Sequence, residues 1–405
     1  MLRKNRLFTP GPTPLLPAAQ TAMASTGIHH RTADFKALFS RTLADLKTFI
    51  GTKNDVVLLA SSGTGAMEAS VTNLTAPGDK VLVLTAGKFG ERWRDLAKTY
   101  GCEVDVVSAP YGQTFSSELI NQKLAAVDHG IRVVYMQATE SSTGVRHDVE
   151  GVAAAVRHSN SRGNNTLLVI DAITGLGTTR LDVDGWGIDV IIGGSQKAVM
   201  IPPGLAYMAV SERAWKRMEE PHSPSYYFDL RKERKSQVKG ETAFTPAISL
   251  VAGLAAALDF IRTAGKGDLA AGRDALIANA ETCAAMTRAA AQALGLDLYA
   301  PSAPAAALTA VVPPEGMDSG VIVKEFRERF EAVVANGQGE MKGKMFRIAH
   351  LGYYDYLDTI GIIAGLEQVL ARVAPQLNVQ FGHAVAAAQK VYAQAIAGTG
   401  TAAAK

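Results

Sequence analysis

The sequence predicts an α/β fold: a large domain built on a mostly parallel sheet covered on both faces, followed by a smaller α+β domain. Three observations carry that expectation. Short apolar runs bounded by glycine or turn residues recur through the first half of the chain, helix-like stretches separate them, and after about Thr245 the pattern gives way to long helices with isolated strands. A chain of 405 residues is also longer than one core of ordinary size requires.

Taken in order, the proline-bearing start FTPGPTPLLP reads as an arm (residues 1–20) packing against the second domain. The large domain spans 21–255. Its buried strands are expected at 56–60 (VVLLA), 80–84, 104–108, 133–137, 167–171 and 190–192, with one more at 205–210, the candidate for an antiparallel strand. Helices fall between several of them, at 65–74, 89–99 and 116–126. The small domain, 256–375, contributes helices at 268–294, 320–330 and 356–373 and strands at 308–312 and 345–349; a helix at 248–263 leads into it. The alanine-rich end within 376–405 reads as a helix with a frayed tail. APSAPAAA (300–307) reads as a surface loop, and Asp182, Asp184 and Asp189 as a hydrated one. No internal repeat is present.

Composition narrows the function. With 47% hydrophobic and 20% charged residues and a net charge of +3 spread along the chain, nothing favours a nucleic-acid partner. Cys102 and Cys283 form no CxxC pair and fit a reducing cytoplasm. The N-terminus has no apolar signal-peptide core, and no run reaches the roughly 18–20 apolar residues that span a bilayer.

Three stretches can carry chemistry. Ser61-Ser62-Gly63-Thr64-Gly65 lies between a strand and a helix, where glycines allow a tight turn and amides at the helix start favour a phosphate. It is neither GxGxxG nor GxxxxGK[ST], so dinucleotide and nucleoside-triphosphate readings lack support, and an ordinary turn remains the plain alternative. Asp171 ends the run Leu168-Val169-Ile170, where open α/β sheets bind ligands. It could cap the next loop, or face a pyridine nitrogen and keep it protonated. Lys197 follows Ile191-Ile192-Gly193-Gly194-Ser195-Gln196 and precedes Ala198, Val199 and Met200. Most lysines are solvated surface charges. One placed against apolar neighbours loses water, its pKa falls, and its neutral fraction can form a Schiff base.

FTPGPTPL, SSGTGAMEA, KFGERW, TESSTGV, VIDAITGLG, GGSQKA followed by PPG, TPAISL and FRIAHLG run in order from Phe8 to Gly352. Together they resemble the class V aminotransferases of fold type I, specifically the alanine/serine–glyoxylate (serine–pyruvate) group. That resemblance implies pyridoxal 5'-phosphate as cofactor, a homodimer with sites shared between subunits, and amino transfer from alanine or serine to glyoxylate or pyruvate. It implies that Lys197 holds the cofactor as a Schiff base and shuttles the proton, and that Asp171 pairs with the pyridinium nitrogen. Ile173 would lie under the ring, Phe89 would stack on it, and Ser141 would reach the phenolic oxygen. Ser62, Gly63, Thr64 and Gln196 would hold the phosphate, with Thr242 or Thr245 contributed to the neighbouring subunit. Arg347 would bind the substrate carboxylate beside Gly11, its planar fork suiting a carboxylate bidentately.

Plainer roles stand beside these: a core aromatic for Phe89 and a surface ion pair for Arg347. His29-His30-Arg31 has no third ligand at useful spacing for a metal, and the resemblance points to a structural or channel role near the subunit boundary. Aspartate or phosphoserine as donor would need a second cation, for which Arg31, Lys88 and His350 are candidates. A cysteine desulfurase-like lyase would need a mobile nucleophilic cysteine, which Cys102 and Cys283 suit poorly. Some relatives carry the label of a soluble-hydrogenase subunit, but two separated cysteines cannot ligate the clusters that such chemistry needs.

Overall fold

The computed structural model describes residues 3–25, 27–126 and 130–402. Met1 and Leu2 of the expected arm and residues 403–405 of the expected tail lie outside the described residues.

The strands follow in chain order. They are β1 (Arg6–Phe8), β2 (Asp55–Leu59), β3 (Lys80–Thr85), β4 (Glu103–Ser108), β5 (Ile131–Gln137), β6 (Thr139–Glu140) and β7 (Val145–Arg146). Then come β8 (Leu167–Asp171), β9 (Val190–Gly194), β10 (Ala206–Val210), β11 (Leu308–Val311), β12 (Ala332–Asn336) and β13 (Phe346–Ala349). Seven form one sheet in the order β2-β10-β9-β8-β5-β3-β4. From β9 to β4 all neighbours are parallel, and β10 alone runs antiparallel to both β9 and β2.

The unbroken apolar runs have a simple cause. Side chains alternate along a strand, and both faces of this sheet are covered. Val134 and Met136 enter one core while Val133 and Tyr135 enter the other; Leu168 and Ile170 oppose Leu167 and Val169 in the same way. Strand order reverses at β3, which has β4 on one side and β5 on the other. The crevice beyond the carboxyl ends at such a reversal is where open α/β sheets bind ligands.

The second sheet has the order β1-β12-β13-β11. The N-terminal strand joins it in parallel, pairing Arg6 with Ala332 and Phe8 with Val334, while the other pairs are antiparallel. Its core gathers Phe8, Met286, Phe326, Phe346 and Ile363. No single helix among the described residues is long and apolar enough to cross a membrane. Helices Ile248–Ala264 and Leu269–Ala293 would satisfy length and composition only as a pair bent by 82°.

Two expectations need correction. Asp189 is no hydrated loop residue: it is 2% exposed, accepts from the Leu168 amide (3.0 Å) and the Ser211 hydroxyl (2.8 Å), and pairs with Arg213 at 3.2 Å. Asp182 and Asp184 are exposed as expected. The 300–307 stretch is only partly a surface loop, because Ala305 and Ala307 are fully buried and Ala305 donates to the Gly144 carbonyl. The tail carries the expected helix, His383–Ala402. It buries Ala384 and Ala388, and Glu367 caps its start by accepting from the Gly382, Ala384 and Val385 amides.

Candidate active site

Asp171 is the last residue of β8, opposite Gln137 of β5 and Ile192 of β9, and is 5% exposed. One carboxylate oxygen accepts from the Ile173 amide at 2.9 Å. Burial pushes its pKa up to about 6, against the opposing pull of that amide, Lys197 and Arg92.

β9 ends at Gly194, and a turn carries the chain to Lys197. The Ser195 hydroxyl pins that turn by donating to the Pro202 carbonyl (2.7 Å) and accepting from the Leu205 amide (3.1 Å). The turn closes on Met200 at φ 59°, a left-handed conformation that a bulky residue rarely adopts and that surrounding structure must hold. Lys197 is 8% exposed, and burial lowers its amine to about 8; Asp171 raises it, while Arg347 and Arg92 lower it further. The amine donates to the Pro10 carbonyl. Thr13 fastens the same N-terminal loop down, donating through its amide to the Gln196 carbonyl (3.2 Å) and through its hydroxyl to the Lys197 carbonyl (3.1 Å). Gly11 stands against the amine at φ 146°; a Cβ there would lie 2.5 Å from Lys197 Nζ.

Helix Gly63–Leu74 begins after Ser62, whose side chain makes no capping bond. Its first amides therefore have no side-chain cap, which leaves them available to an anion. A Cβ on Gly63 would lie 2.2 Å from Ile173 Cδ1, so the cradle and Ile173 meet only because glycine is present. Gln196 brings a buried amide whose oxygen has no partner.

Phe89 sits in the first turn of helix Lys88–Thr99. Its amide and that of Gly90 both donate to the carboxylate of Glu140, at 3.1 Å each, and Glu140 also accepts from the Ser142 amide and hydroxyl. Arg92, one turn on, lies over the Phe89 ring at 4.7 Å and donates to the Thr64 hydroxyl at 2.9 Å.

Arg347, on β13, is 4% exposed and crosses between the two sheets' units. It donates to the Ser141 carbonyl and the Asn336 carbonyl, each at 2.6 Å, while its buried Nε has no partner. Burial lowers its pKa to about 10. The plain surface-pair reading of this arginine does not hold.

The chain thus gathers Gly11, Asp171, Ile173, Gln196 and Lys197 with Ser62, Gly63 and Thr64. Contacts through Arg92 and Arg347 tie in Phe89 and Ser141. Thr242 and Thr245 stand elsewhere, lining a pocket with Leu58, Tyr227 and Glu233, and Thr242 donates to the Phe244 carbonyl at 2.6 Å. His29 and His30 lie side by side with ring centres 4.3 Å apart and planes tilted by 36°. Arg92 and Glu140 were missed in the sequence. The signal for Arg92 was its place three residues beyond Phe89 on one helix face; Glu140 offered only a carboxylate near an apolar run.

These groups suit a phosphorylated pyridine aldehyde. An uncapped helix start meets a phosphate, a buried acid meets a ring nitrogen, and a partly neutral amine meets an aldehyde.

The family model described as Aminotransferase class-V matches residues 17–302. A serine–glyoxylate aminotransferase of Methylorubrum extorquens is 33% identical, covering 95% of each chain. A protein of Anabaena cylindrica named as the 42 kDa subunit of a soluble hydrogenase is 37% identical over 96% of this chain and 99% of its own. The solved aspartate aminotransferase of subgroup IV from Thermus thermophilus superimposes with a TM-score of 0.82 at 34% identity, over 91% of this chain and all of that one. By matching model, by relatives along its whole length and by architecture, the chain belongs to the class V aminotransferases, a pyridoxal-phosphate-dependent transaminase of fold type I.

Proposed function

We propose that this transaminase moves the amino group of alanine or serine to glyoxylate or pyruvate, holding pyridoxal 5'-phosphate on Lys197. The observation that carries the reading is a buried amine lowered to about 8, set among a buried acid and a buried arginine whose charges act on it. At neutral pH part of that amine is unprotonated and able to attack an aldehyde.

When bound, the cofactor supplies an aldehyde that captures amino groups and a protonated ring that withdraws electrons from the neighbouring carbon. Asp171 would hold the proton on the ring nitrogen, its carboxylate oriented by the Ile173 amide at 2.9 Å. Ile173 and Phe89 would help confine the ring, and Ser141 would contribute to holding it. Ser62, Gly63, Thr64 and Gln196 take the phosphate. Lys197 Nζ would move the substrate's α-proton, general acid–base catalysis worth about 10²–10⁴ in rate. The unpartnered Arg347 Nε presents a donor for the substrate carboxylate, and the Ser141 and Asn336 carbonyls hold the guanidinium still.

A small uncharged donor agrees with the state of two of the three cations considered for a second carboxylate, Lys88 and His350. Lys88 is paired with Glu91 at 2.9 Å. His350 is fully buried, bonded to Thr309 at 2.9 Å and pushed down to about 3 by that burial, hence neutral. The name of the Methylorubrum relative supports serine and glyoxylate. Cys283 is buried, with its thiol pushed up to about 11, and burial also raises Cys102, so neither suits a desulfurase. Two cysteines in the whole chain likewise leave the hydrogenase name without ligands for a cluster. In the proposed homodimer either Thr242 or Thr245 reaches the partner's phosphate, and the free thiols suit a reducing cytoplasm.

The test has two arms. Borohydride reduction and peptide mapping should place the cofactor adduct on Lys197, and a donor panel against glyoxylate, pyruvate and 2-oxoglutarate should give turnover with alanine or serine. An adduct elsewhere rejects the site; turnover with aspartate alone rejects the substrate choice and keeps the chemistry.

A further inference from the structure

We propose that Arg92 is a phosphate-binding and positioning residue, joining the anchor of the cofactor's phosphate to the aromatic ring that covers its pyridine. The inference rests on the cofactor reading given above and adds a residue to it.

Four observations meet at this side chain. First, Arg92 Nη1 donates to Thr64 Oγ1 at 2.9 Å. A threonine hydroxyl has one proton. With Arg92 filling one of its lone pairs, that proton points away from the guanidinium and serves as a donor at the start of helix Gly63–Leu74. Second, the remaining N–H groups of the fork make no hydrogen bond to the protein among the described residues, and no carboxylate there pairs with the charge. A half-buried guanidinium beside an anion-binding helix start, with donors to spare, matches a phosphate dianion in charge and geometry. Third, the guanidinium carbon of Arg92 lies over the Phe89 ring, 4.7 Å from its centre, so the residue that braces the phosphate cradle also contacts the aromatic ring. Fourth, the same charge acts on both Asp171 and Lys197, which places it within the field of the reacting groups.

The arrangement explains why an arginine stands there. Lysine could carry the charge to Thr64, but as a point charge without a planar face it cannot bond the hydroxyl and cover the ring together. Glutamine keeps a polar end and loses the charge.

A purely structural role would affect any ligand of the site equally, whereas phosphate recognition acts only on ligands that carry a phosphate. The experiment uses cofactor-stripped full-length protein and follows the lysine adduct by absorbance. It compares pyridoxal 5'-phosphate with pyridoxal, and uses inorganic phosphate to compete, for the wild type, Arg92→Gln and Arg92→Lys. Arg92→Gln is expected to weaken pyridoxal 5'-phosphate by about 10- to 100-fold and to change pyridoxal by less than about 2-fold. Inorganic phosphate should lose its competition in the same variant, and Arg92→Lys should fall between. Equal weakening of both aldehydes, or of neither, overturns the proposal. If even the wild type forms no adduct with either aldehyde, the cofactor reading fails with it, a result distinct from a variant-specific change.

Discussion

The burial that prepares Asp171 and Lys197 for chemistry also destabilises the chain that holds them. Asp171 is raised from 3.8 to about 6, so above pH 6 the folded state carries a desolvated carboxylate at full penalty; as pH falls from 6 toward 3.8 the folded state binds the extra proton and the penalty fades. Lys197 is lowered from 10.5 to about 8, so its penalty is complete below pH 8 and is relieved as pH rises toward 10.5. Asp171→Asn should therefore stabilise the cofactor-free protein at pH 7.5 by on the order of 1–3 kcal/mol, reduced by the loss of a partner for Lys197, and by nothing near pH 4. Turnover should fall by about 10²–10³, since the ring nitrogen loses its acid. Thermal denaturation at the two pH values, beside kcat, checks both halves. A variant less stable than wild type at pH 7.5 would contradict the account.

At the scale of elements, the site is made by two helix starts brought up to strand ends. Helix Gly63–Leu74 comes so near the loop after β8 that any side chain at its first residue would overlap Ile173, at 2.2 Å. Helix Lys88–Thr99 is held by the buried carboxylate of Glu140 at its positive end, the end where an acid stabilises a helix. The first contact makes a quantitative expectation. Gly63→Ala should weaken cofactor retention by about tenfold or more, and adding Ile173→Ala should recover part of it. A coupling of roughly 0.5–3 kcal/mol between the two substitutions is expected in a double-mutant cycle read from cofactor dissociation constants. Additive losses would show that the helix start fails for another reason.

For the whole molecule, the two ends of the chain do different work. The first residues build β1 into the second sheet and then lay Pro10 and Thr13 on Lys197, so one short segment couples the units to the reactive amine. The other end is a brace. Helix His383–Ala402 packs on helix Leu269–Ala293, and its start satisfies the carboxylate of Glu367, itself 3% exposed. A chain stopped after Gly382 would leave that carboxylate with fewer donors and lose apolar cover, costing about 1–3 kcal/mol. Its melting temperature should drop while kcat at room temperature stays near wild type. A loss of kcat without loss of stability would instead tie the tail to the site.

Local chemistry by itself determined a good part of this protein. Apolar runs as long as a strand, because both faces of the sheet are covered, marked β2, β3, β5, β8 and β9, and with them the positions of Asp171 and Lys197. The family resemblance of short motifs then pointed to Gly11, Gln196 and Arg347, and the glycine-rich turn to Gly63. Pattern could not reveal β1 and β12: each is short, and pairing rather than apolar periodicity defines them. Nor could it tell that Asp189 is buried, since a carboxylate with an arginine and two further donors around it looks in the chain like any loop acid. Arg92 and Glu140 belong with these, because their partners lie 28 and 50–51 positions away in sequence. Residue type and spacing decide which groups can do chemistry. The closing of distant segments on one another decides which of them lose their water and meet, and that depends on packing that no local window contains.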